Sequence, residues 1–191
     1  MGKQDSFIKR ITDIFISLII LAISSPIMLI CMAAIRLESE GPAIFIQERM
    51  GKNCKPFNLY KLRGMVNNAL SVGPELTQIN DPRLTKTGKL FRRISIDEIP
   101  QFVNVLKGEM SVVGPRPEIM SIALKYNEFE KHVLDYKPGL TGYSQINGRQ
   151  TLTPNERVTM EIEYYKNANF FSDLLIVIKT PFVILTNDGN I

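Results

Sequence analysis

From Ile14 to Ile35 the chain runs 22 residues without a formal charge, interrupted only by Ser17, Ser24, Ser25 and Pro26. As a straight helix that stretch would measure about 33 Å, against a bilayer hydrocarbon core of roughly 30 Å. A membrane anchor is the first expectation. The run is longer than the apolar region of a typical signal peptide and no Ala-x-Ala-like site closes it, which argues against a cleaved leader. Cations flank it on both sides: Lys3, Lys9 and Arg10 before, then Arg36, Arg49, Lys52, Lys55, Lys61 and Arg63 after. The positive-inside tendency would hold both ends on the cytoplasmic face. Pro26 sits at the midpoint, where it removes an intrahelical hydrogen bond and crowds the preceding turn, while nearby serine hydroxyls can satisfy the freed backbone groups. A kink or reversal is expected there. From the residues alone two readings stand: a kinked spanning helix, or a helix, break and helix that dips in and returns, each half about 14 to 17 Å long.

The remainder has the composition of a folded domain. Hydrophobic residues make up 45% and charged residues 22% of the 191, which fits neither a disordered chain nor a polytopic membrane bundle. Two cysteines, Cys31 and Cys54, are too few for a disulfide framework and point to a reducing, cytosol-facing compartment. Lysine and arginine outnumber the acids 23 to 19, which allows anionic partners without choosing among phosphates, nucleic acid and acidic lipid. Stacking aromatics interleaved with basic stripes are absent and there is no tryptophan, so a nucleic-acid partner is not expected.

Gly41-Pro42 separates this domain from the apolar run. Ala43 to Gln47 and Phe57 to Lys61 read as short strands joined through a Gly51-Lys52-Asn53 turn. Val66 to Leu70 reads as a short helix, Ser71 to Pro82 as a loop and Gly88 to Ile94 as helical. Ile119 to Tyr136 looks helix-like and carries His132, the single histidine, which reads as a surface or interface residue rather than a zinc ligand. Thr153-Pro154-Asn155-Glu156 combines a threonine cap, an early proline and a glutamate three residues on, a strong helix start. Phe170 to Ile178 reads as a capped apolar helix ended by Lys179 and Pro181, either in the core or along the headgroup boundary. The fold class is α+β, mostly helical.

The chemistry concentrates between Lys86 and Gln101, where Arg92 and Arg93 directly precede Asp97-Glu98. Ser95-x-x-Glu98 has capping-box spacing for a helix running on to Lys107, although Pro100 fits more comfortably if the cap is Ile96 or Asp97. In either register Asp97 stands at a helix N-terminus, where free amides and the dipole favour anions. An ordinary pair of capping acids is the plain alternative. Against it stands the neighbourhood: arginines can neutralise phosphate, and adjacent carboxylates can divide labour as nucleophile and ligand for a divalent metal such as magnesium. A little further on, Gly114-Pro115-Arg116-Pro117 fixes an arginine between two prolines, suited to bidentate phosphate contact.

These residues carry a resemblance. Asp81-Pro82-Arg83-Leu84-Thr85, Gly88, Leu90, Arg92-Arg93, Ser95 to Gln101, Asn104 to Ser111 and Val113 to Pro117 closely resemble the bacterial sugar transferases known as monotopic phosphoglycosyl transferases. Lys9-Arg10, Asp13, Ser25-Pro26, Gly41-Pro42, Phe45, Gln47, Arg49, Gly51, Phe57 and Lys61 follow the same pattern. So do Lys137 to Gly142, Gln145 to Arg149, Tyr164-Tyr165 and Asp173. The resemblance implies transfer of a phospho-sugar from a UDP-sugar to polyprenol phosphate, typically undecaprenyl phosphate, with release of UMP, as the first membrane step of a glycan pathway. It implies a re-entrant membrane helix over residues 1–36, broken at Ser25-Pro26, and a cytosolic, membrane-associated catalytic domain over 37–191 with a small β-hairpin and interfacial amphipathic helices. Asp97 would be the covalent nucleophile, Glu98 with Asp97 the magnesium ligands, and Arg92, Arg116, Pro115, Pro117 and Lys61 the phosphate and nucleotide contacts. Inner-membrane lipid would be a further partner, with room for a homo-oligomer and for downstream glycosyltransferases. Ile96 and Ile99 replace the family's commoner leucines, and Leu62-Arg63-Gly64-Met65 departs from its pattern after Lys61. Two rivals remain: a membrane-tethered binding module for anionic ligands, and a glycosyltransferase that releases UDP.

Overall fold

Helix α1 (Phe7–Glu38) starts on a serine cap, the Ser6 hydroxyl accepting from the Lys9 amide, and continues for 32 residues, about 48 Å at the α-helical rise. The structure, a computed structural model, describes residues 6–78, 81–148 and 151–186, so Lys3 and Arg149 lie outside the described residues. α1 runs unbroken through Pro26, and the break expected at Ser25-Pro26 is therefore not an interruption of helix. The physical reason is local. The Ser25 hydroxyl donates to the Ala22 carbonyl at 2.9 Å, the acceptor that an amide at position 26 would have used, and Ser24 donates to Ile20 at 2.6 Å.

Both ends of α1 pack on the rest of the chain. Near its start Lys9 pairs with Asp173 and donates to the Val113 carbonyl. Arg10 donates to the Val105 and Leu106 carbonyls at 2.6 and 2.7 Å, capping the last turn of α3 (Gln101–Lys107). Asp13 accepts from the Ser111 hydroxyl at 2.8 Å and the Val112 amide at 3.1 Å. Lys9 and Arg10 thus serve inside the protein rather than as charges flanking a membrane segment. At the other end Cys31 and Ile35 join Ala43, Leu62 and Phe91 in a buried cluster. Arg63 closes that end by donating to the Ser39 carbonyl at 2.7 Å, which gives the departure after Lys61 a structural role. Between the two anchorages Leu18, Ile23, Leu29 and Ile30 stay exposed.

β1 (Ile44–Met50) and β2 (Pro56–Leu62) form the expected antiparallel hairpin, with Phe45 opposite Lys61 and Arg49 opposite Phe57. Val66 to Leu70 is a turn, not a helix, because the Val66 amide donates across to Arg83 and Met65 bridges Leu84. The described part of the following loop is knotted by Arg83, which binds Asp81 through Nε and Nη2 and the Ala69 and Pro74 carbonyls through Nη1. α2 (Lys86–Arg93) is capped by Thr85, while the Glu38 carboxylate accepts from the Lys86 and Thr87 amides. Gly88 of α2 lies against Gly64; a Cβ on Gly88 would fall 2.0 Å from the Gly64 carbonyl oxygen.

Ser95 adopts a left-handed conformation (φ 56°) and makes no cap, so the capping-box spacing to Glu98 goes unused. Instead Ile96–Glu98 forms a 3-10 turn, and α3 begins after Pro100. β3 (Ser111–Val113) runs parallel to β4 (Gly139–Thr141), and the Gly139 amide donates to the Pro115 carbonyl at 2.8 Å. Ile119 to Tyr136 is not one helix: α4 (Met120–Ala123) stops, and a 3-10 segment resumes at Glu130–Asp135. The interruption is held by Asn127 and Glu130, which exchange backbone-to-side-chain bonds of 2.8 and 2.9 Å. His132 is exposed beside Asp135.

α5 (Tyr143–Ile146) leads to α6 (Pro154–Asn167), where Thr153 and Glu156 complete the capping box read from the sequence. α7 (Phe170–Thr186) starts on Asn169, whose side chain accepts from the Phe171 and Ser172 amides, and continues past Lys179 and Pro181. One missing hydrogen bond does not end it. α7 buries Ile176 with Leu59, Val105, Met110 and Val113, yet leaves Phe171, Leu175, Ile178 and Phe182 exposed. A second core joins Met50, Tyr126, Leu134, Val158 and Ile162. α1 is long and apolar enough to cross a membrane.

Candidate active site

Alternation along β2 puts Phe57, Leu59 and Lys61 on one face. The first two enter the core; Lys61, at the end of the series, reaches the 3-10 turn and pairs with Glu98 at 2.9 Å from Nζ to Oε1. Arg116 Nη2 approaches the same oxygen at 3.4 Å. Burial alone would push the Glu98 carboxyl up, but Lys61 and Arg116 outweigh it and hold its pKa at about 2.

Asp97 is only 8% exposed. Burial raises its pKa, with Lys61, Arg92 and Arg116 pulling against the shift and the Glu98 charge adding to it. Two adjacent carboxylates therefore sit in different electrostatic situations: one held ionised by direct ion pairs, the other enclosed and answering to a ring of cations. Such a separation marks groups with distinct chemical tasks.

The arginines arrive from separate elements. Arg92, near the end of α2, donates to the Thr77 hydroxyl at 2.8 Å, and burial lowers its pKa. Arg93 points to solvent. Pro115 and Pro117 are buried and act as footings, while Arg116 between them projects outward. Its pKa is raised chiefly by Glu98. The structure thus brings together Asp97, Glu98, Lys61, Arg92 and Arg116, with Pro115 and Pro117 holding the last. Ser25 and Pro26 lie on the exposed middle of α1, apart from this cluster.

Reading the sequence for chemistry missed Arg49. It lies on the same β1 face as Gln47 and close enough to Arg116, Glu118 and Glu98 to feel their charges. The sequence carried alternation alone as a signal: Gln47 and Arg49 pair with Leu59 and Phe57, which puts them on the same sheet face as Lys61.

The donor set suits magnesium in one respect and limits it in another. Asp97 and Glu98 supply hard oxygens, as that ion requires, but among the described residues no three acidic, histidine or cysteine side chains gather into a cage. Substrate phosphates would have to complete the coordination, the ordinary arrangement for magnesium in nucleotide chemistry.

Comparison with known proteins shows the family. The chain is 41% identical over 95% of its length to a Bacillus subtilis protein described as the uncharacterized sugar transferase EpsL, covering 89% of that relative. It is 42% identical to the Escherichia coli UDP-glucose:undecaprenyl-phosphate glucose-1-phosphate transferase, over 95% of this chain and 41% of the relative. It is 39% identical to an Aeromonas hydrophila UDP-N-acetylgalactosamine-undecaprenyl-phosphate N-acetylgalactosaminephosphotransferase, over 96% of this chain and 45% of that protein. The chain spans less than half the length of these last two. The sequence model described as bacterial sugar transferase matches residues 4–187, and with that match the chain belongs to the bacterial sugar transferase family.

Proposed function

We propose that the chain transfers a phospho-sugar from a UDP-sugar to polyprenol phosphate, of the undecaprenyl type, and releases UMP. The observation that supports this best is the pair Asp97-Glu98, one carboxylate enclosed and the other held ionised by Lys61 and Arg116. The names of the Escherichia coli and Aeromonas relatives describe that reaction with glucose and N-acetylgalactosamine.

In this reading an Asp97 carboxylate oxygen attacks the sugar-bearing phosphorus. The bond from that phosphorus to the bridging oxygen breaks, and UMP leaves with the electron pair. An oxygen of the lipid phosphate then attacks the same phosphorus, Asp97 departs as free carboxylate, and a polyprenyl diphosphate sugar results. No proton need be moved in either step. The difficulty is charge, since an anion must approach a diphosphate. Lys61, Arg92 and Arg116 surround the attack position and offset that repulsion from fixed places in the fold. Glu98 with Asp97 would hold magnesium, which when bound supplies further neutralisation of the phosphates.

The exposed apolar residues of α1 and α7 support membrane association, and in this reading the membrane is the inner one, with the polar domain on its cytosolic side. There α1 would be re-entrant by bending about Pro26 without losing its helix, its two ends remaining with the domain. The product, a lipid-linked sugar, is the first membrane intermediate of a capsule, exopolysaccharide, O-antigen or glycoprotein glycan, and downstream glycosyltransferases would extend it.

A panel of UDP-sugars tests the proposal. Wild type should release UMP before lipid is added, about one equivalent per active site, and retain sugar label after denaturation. Asp97→Asn should do neither. Release of UDP instead would establish the rival glycosyltransferase, and retention of the adduct by Asp97→Asn would remove the double displacement.

A further inference from the structure

Arg49 occupies the penultimate position of β1, beside the site rather than in it. Its Nη1 donates to the Pro117 carbonyl at 3.1 Å and its Nη2 to Gln47 Oε1 at 2.7 Å. Nε is buried and finds no acceptor among the described residues. The guanidinium is therefore turned into the protein, against the Pro117–Glu118 peptide one residue beyond Arg116, and cannot offer Nε to a ligand. The backbone reinforces the seam: the Met50 amide donates to the Glu118 carbonyl at 3.1 Å, and Arg49 bridges Ile119. On its other side the same loop is tied to β4, where the Gly114 amide donates to Thr141 and the Gly139 amide to Pro115. Pro115-Arg116-Pro117 is thus clamped between β4 and the end of β1, and the Arg49 side chain is the polar half of the second clamp.

Holding one guanidinium near another is costly. Burial first, and then Arg116, lower the Arg49 pKa to about 10, though it stays charged at neutral pH. A purely structural latch would be cheaper with a neutral donor. A planar fork that grips both a carbonyl and an amide oxygen fixes direction as well as distance, which lysine cannot do.

We infer that Arg49 is a positioning residue that orients Arg116 toward the diphosphate of the nucleotide sugar by holding the Pro117 carbonyl. The inference rests on the phosphoglycosyl transferase reading above. Arg49→Gln should raise KM for the UDP-sugar about tenfold, the loss of one charge-assisted hydrogen bond, while leaving KM for the lipid acceptor near its wild-type value. Arg49→Lys should recover only part of that loss. Gln47→Ala, which removes only the acceptor steadying Nη2, should shift the same constant in the same direction by less.

The deciding measurement is a double-variant cycle. If Arg49 acts through Arg116, adding Arg49→Gln to Arg116→Ala should change KM by less than about twofold. A wild-type KM in Arg49→Gln overturns the inference. So does a loss that multiplies with that of Arg116→Ala, which would make Arg49 an independent contact. Equal changes in both KM values that track a lowered melting temperature would make it merely structural and also overturn it. If wild type releases no UMP from any UDP-sugar, the functional reading fails by itself, and the Arg49–Arg116 coupling is then read from calorimetric binding of UDP.

Discussion

Lys9 and Asp173, 164 positions apart, close a buried ion pair that ties the first helix to the last. Asp173 also accepts from the Tyr164 hydroxyl at 2.8 Å, and Lys9 donates to the Val113 carbonyl at 3.2 Å. Removing one partner strands the other charge. Lys9→Met or Asp173→Leu should each destabilise by about 3 to 5 kcal/mol, seen as a melting temperature lowered by roughly 10 °C in detergent micelles. The double variant should recover much of the loss. Single variants that melt like wild type would show that α1 is held by its apolar contacts alone.

Acid should quench the first half-reaction above the ordinary carboxylate range. In the proposed mechanism Asp97 attacks only when ionised, and burial holds its pKa up, so UMP release should fall as pH drops through that raised value. Lys61 is the largest influence pulling the other way. Lys61→Met should therefore move the acid limb of kcat/KM to still higher pH, besides slowing the reaction. In the wild type Glu98, at about 2, stays ionised throughout. An acid limb left in place by Lys61→Met would separate Asp97 from the titration.

Glu161 offers a stability test remote from the reaction. It is 2% exposed, accepts from the Ser144 amide and hydroxyl through Oε1, and has no partner for Oε2 among the described residues. Burial raises its pKa from 4.5 to about 7. Between those values the folded state keeps a proton that the unfolded chain has released, so stability falls as pH rises through this window. The shift corresponds to roughly 3 kcal/mol. Glu161→Gln should remove that dependence: its melting temperature relative to wild type should improve between pH 5 and pH 8. Parallel melting curves across this range would contradict the assignment.

Topology can be read with the thiol already in place. Cys54 is exposed on the hairpin turn and Cys31 is buried. With Ser6→Cys added, an impermeant maleimide should label both exposed thiols from the cytoplasmic side in inverted vesicles, and neither from the outside of intact cells. Because Lys9 and Ile35 anchor the two ends, Pro26→Ala alone should leave that pattern unchanged. Combined with Lys9→Met it should expose position 6 to the outside. Labelling of position 6 from outside in the otherwise unaltered chain would make α1 a spanning helix.

Much of this architecture was legible in the sequence where local chemistry decides it. The hairpin followed from alternation, and α6 from the Thr153-Glu156 box. Ser95 had the same spacing to Glu98 and did not cap, because its left-handed backbone turned the hydroxyl away. Proline misled twice: Pro26 and Pro181 both lie inside helices, the first with Ser25 supplying the missing donor. The carboxylate pair and its arginines stood out as a charge concentration. Arg49 did not, since its meaning depends on a strand end meeting a loop 68 residues away. Lys9 and Arg10 read as flanking charges for the same reason; their acceptors lie on elements that only the folded chain brings near.

The contact between Gly64 and Gly88 has a consequence for what this chain can become. Lys61 leaves its strand three residues before the first glycine, and Arg92 follows the second by four. The gap between their supports is set by main chain touching main chain, where a methyl group on Gly88 would have no room. Repacking the interior cannot widen or narrow it. On the proposed reading the spacing of these two cations belongs to the frame, so variants that accept a bulkier or slimmer sugar should arise from the loops around them.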